Sequence, residues 1–208
     1  MKKEKGKLIV ISAPSGAGKT SLVKALLERE SHLRFSISYT TRKPRPAEKE
    51  GHDYFFVDHA TFEKMVAAGG FLEHAKVFDN YYGTPKKQVQ DILDNGEHVI
   101  LEIDWQGAQQ IRKAMPECES IFILPPSQAE LEKRLRGRGT DGDDVIARRL
   151  RDSVGDMTHW DEFDFVVIND NFDSALADLT AIVNGKGNSL RRDRPGLAVL
   201  AKSLLAAR

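Results

Sequence analysis

Two clusters of residues in this chain could do chemistry. The first is Ala13-Pro14-Ser15-Gly16-Ala17-Gly18-Lys19-Thr20-Ser21, directly after the apolar run Leu8–Ile11 and directly before a helical pattern. Glycines in such a turn let backbone N–H groups close round a phosphate, and the following helix adds the positive end of its dipole. Lys19 is placed to reach the β- and γ-phosphates of a triphosphate, and the Thr20 hydroxyl can serve Mg²⁺. One position departs from the pattern G-x-x-x-x-G-K-[ST]: Ala13 stands where the first glycine is expected. The second cluster begins with Ser38-Tyr39-Thr40-Thr41-Arg42-Lys43-Pro44-Arg45 and continues through Tyr54. Arg42 and Arg45 flank a proline-stiffened turn, so their guanidinium forks can converge on one oxyanion. Hydroxyls before them and Tyr54 after them favour a phosphate clamp over a merely solvated loop. Further on, Glu73 sits among Phe71, Leu72 and Ala75, and Asn80-Tyr81-Tyr82-Gly83-Thr84 adds aromatic and hydroxyl groups.

Positioning these groups requires strands and helices. Apolar runs predict buried parallel strands at Leu8–Ile11, His98–Ile103, Ser120–Leu124 and Phe163–Ile168. Helical patterns separate them at Ser21–Glu30, Ala108–Met115, Gln128–Arg136 and Ser174–Asn184. Strand–helix alternation with a phosphate loop after the first strand implies an α/β fold: a three-layer sandwich on a parallel sheet, of the phosphate-loop NTPase type. Two segments interrupt the alternation. The longer, residues 35–95, carries its own predicted strands (Tyr54–Val57, Tyr81–Tyr82) and helices (Thr61–Ala68, Lys86–Leu93). The shorter, residues 127–156, is dense in arginine. The core is thus expected from residues 1–34, 96–126 and 157–184. Residues 185–196 read as a polar linker. Leu197–Leu205 has helical apolar spacing and could pack on the core or on a second copy in a homo-oligomer.

Bulk properties narrow the partners. A chain of 208 residues can bury one large core with small subdomains. Basic and acidic residues balance at 31 each, so no broad nucleic-acid surface is expected. One cysteine, Cys118, rules out an internal disulfide framework and fits a reducing compartment. No apolar run approaches the length of a membrane span, and the expected setting is soluble and cytoplasmic.

The motifs together resemble the guanylate kinase family. The likeness runs through Ser38–Arg45, Gly51–Phe56, Phe71–Ala75 and Asn80–Thr84, then through Ile103–Arg112, Ile121–Ser127, Arg134–Gly139 and Val167–Asp170. Even the Ala13-Pro14-Ser15 opening of the loop looks like the bacterial branch. The resemblance implies phosphoryl transfer from ATP to GMP or dGMP, assisted by Mg²⁺. It also implies that residues 35–95 form a GMP-binding domain and residues 127–156 a lid. Carried over by position, Ser38, Arg42, Arg45, Tyr54, Glu73, Tyr82, Thr84 and Asp104 would hold GMP. Arg42, Arg45, Tyr54 and Tyr82 would take its phosphate, while Ser38, Glu73 and Thr84 would read the base. Arg134, Arg138 and Arg149 would close on the triphosphate, and Asn169 would lie against the adenine.

The chemistry agrees with that likeness. No general base positioned by a partner is evident, and a nucleoside monophosphate acceptor needs none, its second phosphate pKa being near ~6. Catalysis then reduces to alignment and charge neutralisation, for which Lys19, Arg42, Arg45, Arg134, Arg138, Arg149 and Mg²⁺ are suited. Arg134 and Arg138 share a face if the helix runs on to residue 138, although Glu130–Arg134 pairing on a solvated face would use the same spacing. The Gly137-Arg138-Gly139 stretch favours a mobile lid. Guanine presents two parallel donors on its Watson–Crick edge, which a carboxylate such as Glu73 can accept, whereas adenine sets a lone pair against it. Glu102 stands where the family usually has Asp, with an outer-shell contact to Mg²⁺ waters or to Lys19 as its expected role. Three other readings stay open: a non-catalytic scaffold module of the same fold, a kinase for a sugar phosphate, and a nucleotide switch. The intact Lys19 and Thr20 oppose the first, the Ser38/Glu73 pair the second, and the lack of an N-K-x-D signature the third.

Overall fold

The computed structural model describes residues 5–77, 79–137 and 142–206. In chain order its elements are β1 (Leu8–Ser12), α1 (Lys19–Arg29), β2 (Leu33–Phe35), β3 (Tyr39–Thr40), β4 (Phe55–Phe56) and α2 (His59–Ala67). There follow β5 (Phe71–Val77), β6 (Asn80–Pro85), α3 (Lys86–Asp94), β7 (His98–Glu102), α4 (Trp105–Ala114) and β8 (Glu119–Leu124). The chain ends with α5 (Gln128–Arg136), α6 (Asp143–Met157), β9 (Phe165–Ile168), α7 (Phe172–Val183) and α8 (Leu197–Leu205). One sheet has the strand order β2-β7-β1-β8-β9 and a smaller one the order β4-β3-β6-β5. In the larger sheet β2 pairs with β7, and β8 with β9, in parallel. All five residues of β1 are buried, as are Val99–Leu101 of β7 and Ile121–Leu124 of β8. Continuous apolar runs become central strands because both their faces are covered.

The chain divides into two compact units. One comprises the described residues up to Ile9 together with His32–Leu101 and Gln106–Cys118. It contains the whole smaller sheet, in which β6 pairs antiparallel with both β3 and β5. Phe62 of α2, 1% exposed, stacks on Phe71 of β5 and on Tyr81 of β6, at ring-centroid distances of 4.7 and 5.6 Å. That aromatic layer fixes the β5–β6 pair on which the polar groups of this unit are mounted.

The other unit comprises Val10–Ser31, Glu102–Trp105 and the described residues from Glu119 onward. Here α1 buries Leu22, Val23 and Leu26, and α7 buries Ala175, Leu179, Ile182 and Val183. α8 buries Leu197, Ala201 and Leu204, and the Gln128 side chain of α5 donates to the Leu204 and Ala206 carbonyls. The C-terminal helix therefore has its apolar stripe covered by its own unit. The stretch read as a linker is not loose. Arg191 bridges to Phe165, the Arg192 N–H donates to the Asp164 carbonyl at 3.1 Å, and Arg194 Nη1 donates to the Val166 carbonyl at 2.7 Å.

The four predicted core strands and four core helices are all present: α5 has the predicted bounds, and the others differ at one or both ends by one to three residues. α1 starts at Lys19, two residues earlier than the apolar pattern suggests, because Gly18 in the left-handed region (φ 92°) caps it. The short strands β2 and β3, strand β5 and helix α6 are not among the predicted elements. In β5 the inward positions are Glu73 and Ala75, so a carboxylate occupies the place where alternation calls for an apolar residue. In α6 the buried positions are Ile146, Ser153 and Met157, too few and too polar to show against seven charged neighbours. Among the described residues no helix is long and apolar enough to cross a membrane.

Candidate active site

The phosphate loop leaves β1 at Ser12 and enters α1 at Lys19. Gly16 and Gly18 both have positive φ, 89° and 92°, a region that favours glycine. A Cβ on Gly18 would sit 2.4 Å from Asn169 Nδ2, so this position also needs glycine for space. The loop is held from outside by its carbonyls. Asn169, 5% exposed at the end of β9, donates from Nδ2 to the Ala17 carbonyl at 2.7 Å, and Ser153 Oγ of α6 donates to the Ser15 carbonyl at 3.1 Å. Tying carbonyls to the scaffold leaves backbone N–H groups as the loop's offering to an anion. Pro14, Ala17 and Ser21 belong to the same turn: the Ala17 N–H donates to the Pro14 carbonyl at 3.2 Å, and Ser21 lies in the first turn of α1. The departure at Ala13 falls outside the two left-handed positions.

Lys19 and Thr20 have partners at the end of β7. Lys19 Nζ donates to the Ile103 carbonyl at 3.0 Å, and Thr20 Oγ1 donates to Glu102 Oε1 at 2.6 Å. Glu102 thus touches the expected Mg²⁺ ligand itself, with its longer side chain spanning to the hydroxyl. Among the described residues no group of three or more His, Cys, Asp or Glu could hold a metal on its own.

Arg134 of α5 makes the Glu130 pair that its spacing allowed, together with a contact that the spacing did not mark. Its Nε donates to Glu130 Oε1 at 3.0 Å, and its Nη2 donates to the Asn169 carbonyl at 2.9 Å. Arg134 and Asn169 therefore meet beside the loop, and Leu131 and Leu135 from the same helix approach Gly16. Arg149 is half-buried on α6. Arg138 lies outside the described residues.

Sequence reasoning missed a cluster in the same unit. Trp105 stacks on His159 with centroids 3.6 Å apart, and its indole N–H donates to Asp156 Oδ1 at 3.2 Å. Burial and the neighbouring charge of Asp104 push the Asp156 carboxyl up to about 6, against the pull of that indole bond and of Lys19. Asp104, expected with the acceptor, here shares an electrostatic neighbourhood with Asp156 and belongs to the unit of the phosphate loop.

The first unit gathers the remaining candidates. Glu73 and Thr84 are register partners across β5–β6, and Thr84 Oγ1 donates to Glu73 Oε1 at 2.5 Å. Both are buried, at 3% and 0% exposure, so Glu73 is a deeply seated carboxylate and not a surface acid. Arg42 lies over the Tyr54 ring, 5.4 Å from its centroid, and Tyr54 meets Tyr82 edge-on at 5.9 Å. Arg42 forms a two-pronged pair with Glu48, Nη1–Oε2 at 2.9 Å and Nη2–Oε1 at 2.7 Å. Hydrogen bonds to Glu48 and to Tyr82 hold the Arg42 guanidinium above its ordinary range, and Arg42 in turn holds the Glu48 carboxyl below its own. Arg45 is exposed, with its backbone N–H on Glu48 Oε2 at 2.7 Å. Ser38 is half-buried, and its carbonyl accepts from the Phe55 N–H at 2.9 Å. Gln88 of α3 supports the approach to Ser38, its Oε1 accepting from Ser36 Oγ and from the Ile37 N–H. Glu48 and Gln88 were not legible as site residues: each is a polar residue in a polar stretch, with no motif of its own.

Comparison with known proteins decides the family. The guanylate kinase family model matches residues 5–186. The chain belongs to the guanylate kinase family. It is 55% identical over 202 residues to the guanylate kinase of Chromohalobacter salexigens, covering 97% of this chain and 94% of that one. Against the guanylate kinase of Escherichia coli K12 the identity is 49% over 203 residues, with 97% and 98% covered. Its fold is similar to the crystal structure of guanylate kinase from Anaplasma phagocytophilum, with a TM-score of 0.75, 32% identity, and 99% and 98% of the two chains covered. A phosphotransferase of this family accounts for both clusters: one unit holds a triphosphate loop, the other a buried carboxylate and a cationic–aromatic group.

Proposed function

We propose that this enzyme phosphorylates GMP to GDP with ATP by direct in-line transfer, its two clusters dividing donor from acceptor. The observation that carries this reading is the buried Glu73–Thr84 pair on β5–β6, in the unit that also holds Arg42, Tyr54 and Tyr82. Glu73 accepts the guanine N1–H and exocyclic amine, with Ser38 and Thr84 completing the base contacts. Arg42, Arg45, Tyr54 and Tyr82 take the GMP phosphate. dGMP offers the same base edge and the same phosphate and is a second acceptor.

The loop Ala13–Thr20, with Ser21, holds the ATP phosphates through backbone N–H groups, and Lys19 bridges towards the transferring group. Thr20 would hold Mg²⁺, with Glu102 accepting the Thr20 proton, and the ion would neutralise charge on the phosphate oxygens. Asn169 and Arg134 lie beside the loop to meet the adenosine end, while Arg138 and Arg149 add positive charge towards the triphosphate. The acceptor phosphate is already ionised at neutral pH, so no residue has to remove a proton first. The chain's task is to align two anions and to screen the charge spread over the equatorial oxygens. ATP as donor and a buried thiol at Cys118 suit a cytoplasmic setting. The test is product analysis: GMP and ATP should yield GDP and ADP in equal amounts. ADP without GDP would mean hydrolysis and would contradict the acceptor assignment.

A further inference from the structure

No residue beyond Asn169 has a part in the proposed transfer, yet residues 187–206 are bonded into the phosphate-loop unit at both ends of their course. At the start they lie along β9, the edge strand of the larger sheet. Arg191 pairs antiparallel with Phe165 and sets its guanidinium 5.1 Å from the centre of that ring. The Arg192 N–H donates to the Asp164 carbonyl at 3.1 Å, and Arg194 Nη1 donates to the Val166 carbonyl at 2.7 Å. At the finish α8 packs on α6, with Leu197, Ala201 and Leu204 buried. The last carbonyls of a helix have no donor within it. Here those of Leu204 and Ala206 accept from Nε2 of Gln128, the first residue of α5.

These two attachment points are also the supports of the phosphate loop. From β9, Asn169 Nδ2 donates to the Ala17 carbonyl at 2.7 Å. From α5, Leu131 and Leu135 approach Gly16, and from α6 Ser153 Oγ donates to the Ser15 carbonyl at 3.1 Å. α5 buries only Leu131 and Leu135, and α6 only Ile146, Ser153 and Met157. Helices with so little buried surface take their stability from tertiary contacts. We propose that residues 187–206 are a strap that positions the loop from behind, with Gln128 as its fastening to α5 and α8 as its pad against α6. This rests on the reading of the loop as the site of the ATP phosphates. A loop whose N–H groups are held in place before the nucleotide arrives avoids an ordering cost on binding. Gln128 is thus a positioning residue, acting on the donor through helices that never leave its own unit.

The experiment is calorimetric titration of adenylyl imidodiphosphate with Mg²⁺, and separately of GMP. The proteins are the wild-type chain, Gln128→Ala, a chain ending at Gly196, and that shortened chain carrying Gln128→Ala. Gln128→Ala leaves the buried apolar side chains in place, and thermal melts check that each variant folds. The expected result is a rise of about three- to tenfold in the Kd of the ATP analogue for Gln128→Ala, the scale of the hydrogen bonds removed. The chain ending at Gly196 should lose at least as much, and adding Gln128→Ala to it should change nothing further. GMP affinity should stay within about twofold throughout. Hydrogen exchange of the loop amides should quicken in Gln128→Ala, a readout that does not need the shortened chain to fold. Unchanged analogue affinity or unchanged loop exchange in Gln128→Ala would overturn the proposal. So would an equal loss of GMP affinity, or an effect of Gln128→Ala that persists without α8. Failure of the wild-type chain to bind the ATP analogue would instead undo the reading of the loop as the donor site, a failure separable from the others by the wild-type data alone.

Discussion

Replacing Glu73 by Gln tests how guanine is read. An ionised carboxylate offers about four lone-pair sites. Thr84 Oγ1 donates to Oε1 at 2.5 Å, and two parallel donors of guanine would be accepted by the same carboxylate. Gln keeps the shape but turns one oxygen into an amine. Thr84 can reverse its hydroxyl and accept from that amine, so Thr84 adapts and the mismatch falls on the base. One hydrogen bond to a charged acceptor is lost and one donor meets another, about 2–4 kcal/mol together in a desolvated site. That corresponds to a fall of roughly thirtyfold to a thousandfold in GMP kcat/KM. The fold should survive, since a neutral amide at a position 3% exposed costs less desolvation than a carboxylate. AMP should lose less, because an amine suits the lone pair at adenine N1, and the GMP-to-AMP preference should narrow. The assay is initial-rate kinetics with both acceptors, with a thermal melt as the control for folding. A Glu73→Gln enzyme that keeps the wild-type preference ratio would refute the reasoning and move base recognition to Ser38 and Thr84.

Two further expectations follow from the second unit. Lys19→Met should abolish turnover while GMP affinity by calorimetry stays within about twofold, because the proposed function assigns Lys19 to the ATP phosphates; an equal loss of GMP affinity would contradict that division. Asp156, pushed up to about 6 in the fold from an ordinary 3.8, binds its proton more readily folded than unfolded. Its contribution to stability is therefore greatest below the unfolded value and is lost as pH rises through about 6. Asp156→Asn, which can still accept from the Trp105 indole, should stabilise the enzyme at pH ~8 by about 1–2 kcal/mol after allowance for solvent screening, and by about half as much at pH ~5. Melting curves showing the same difference at both pH values would rule this out.

The legible part of this molecule is the part whose chemistry and packing follow local rules. The strands β1, β7 and β8 announce themselves as apolar runs, and the loop between β1 and α1 carries its glycines at the two positions where φ is positive. The acceptor residues were legible through the likeness of their motifs, and the structure brings Arg42, Tyr54 and Tyr82 together, and Glu73 with Thr84. What stayed hidden depends on tertiary pairing. Strand β5 stayed hidden because its inward residue Glu73 is a carboxylate, which breaks the alternation that would reveal it. Glu48 and Gln88 act by supporting other residues, Arg42 and the Ser36–Ile37 backbone, and no spacing in the chain marks such a role. Asp156 and His159 gain meaning only when the end of α6 meets Trp105.

The central claim is that the buried carboxylate makes this phosphotransferase specific for guanine. It is tested most directly by coupled ADP production from ATP and Mg²⁺ with GMP, AMP, UMP and CMP offered separately at matched concentrations. GMP should exceed each of the others by at least about a hundredfold in kcat/KM, because only guanine satisfies Glu73 with two donors. Comparable turnover of AMP and GMP would contradict the guanine assignment, and absence of turnover with all four would show that the fold serves binding without transfer.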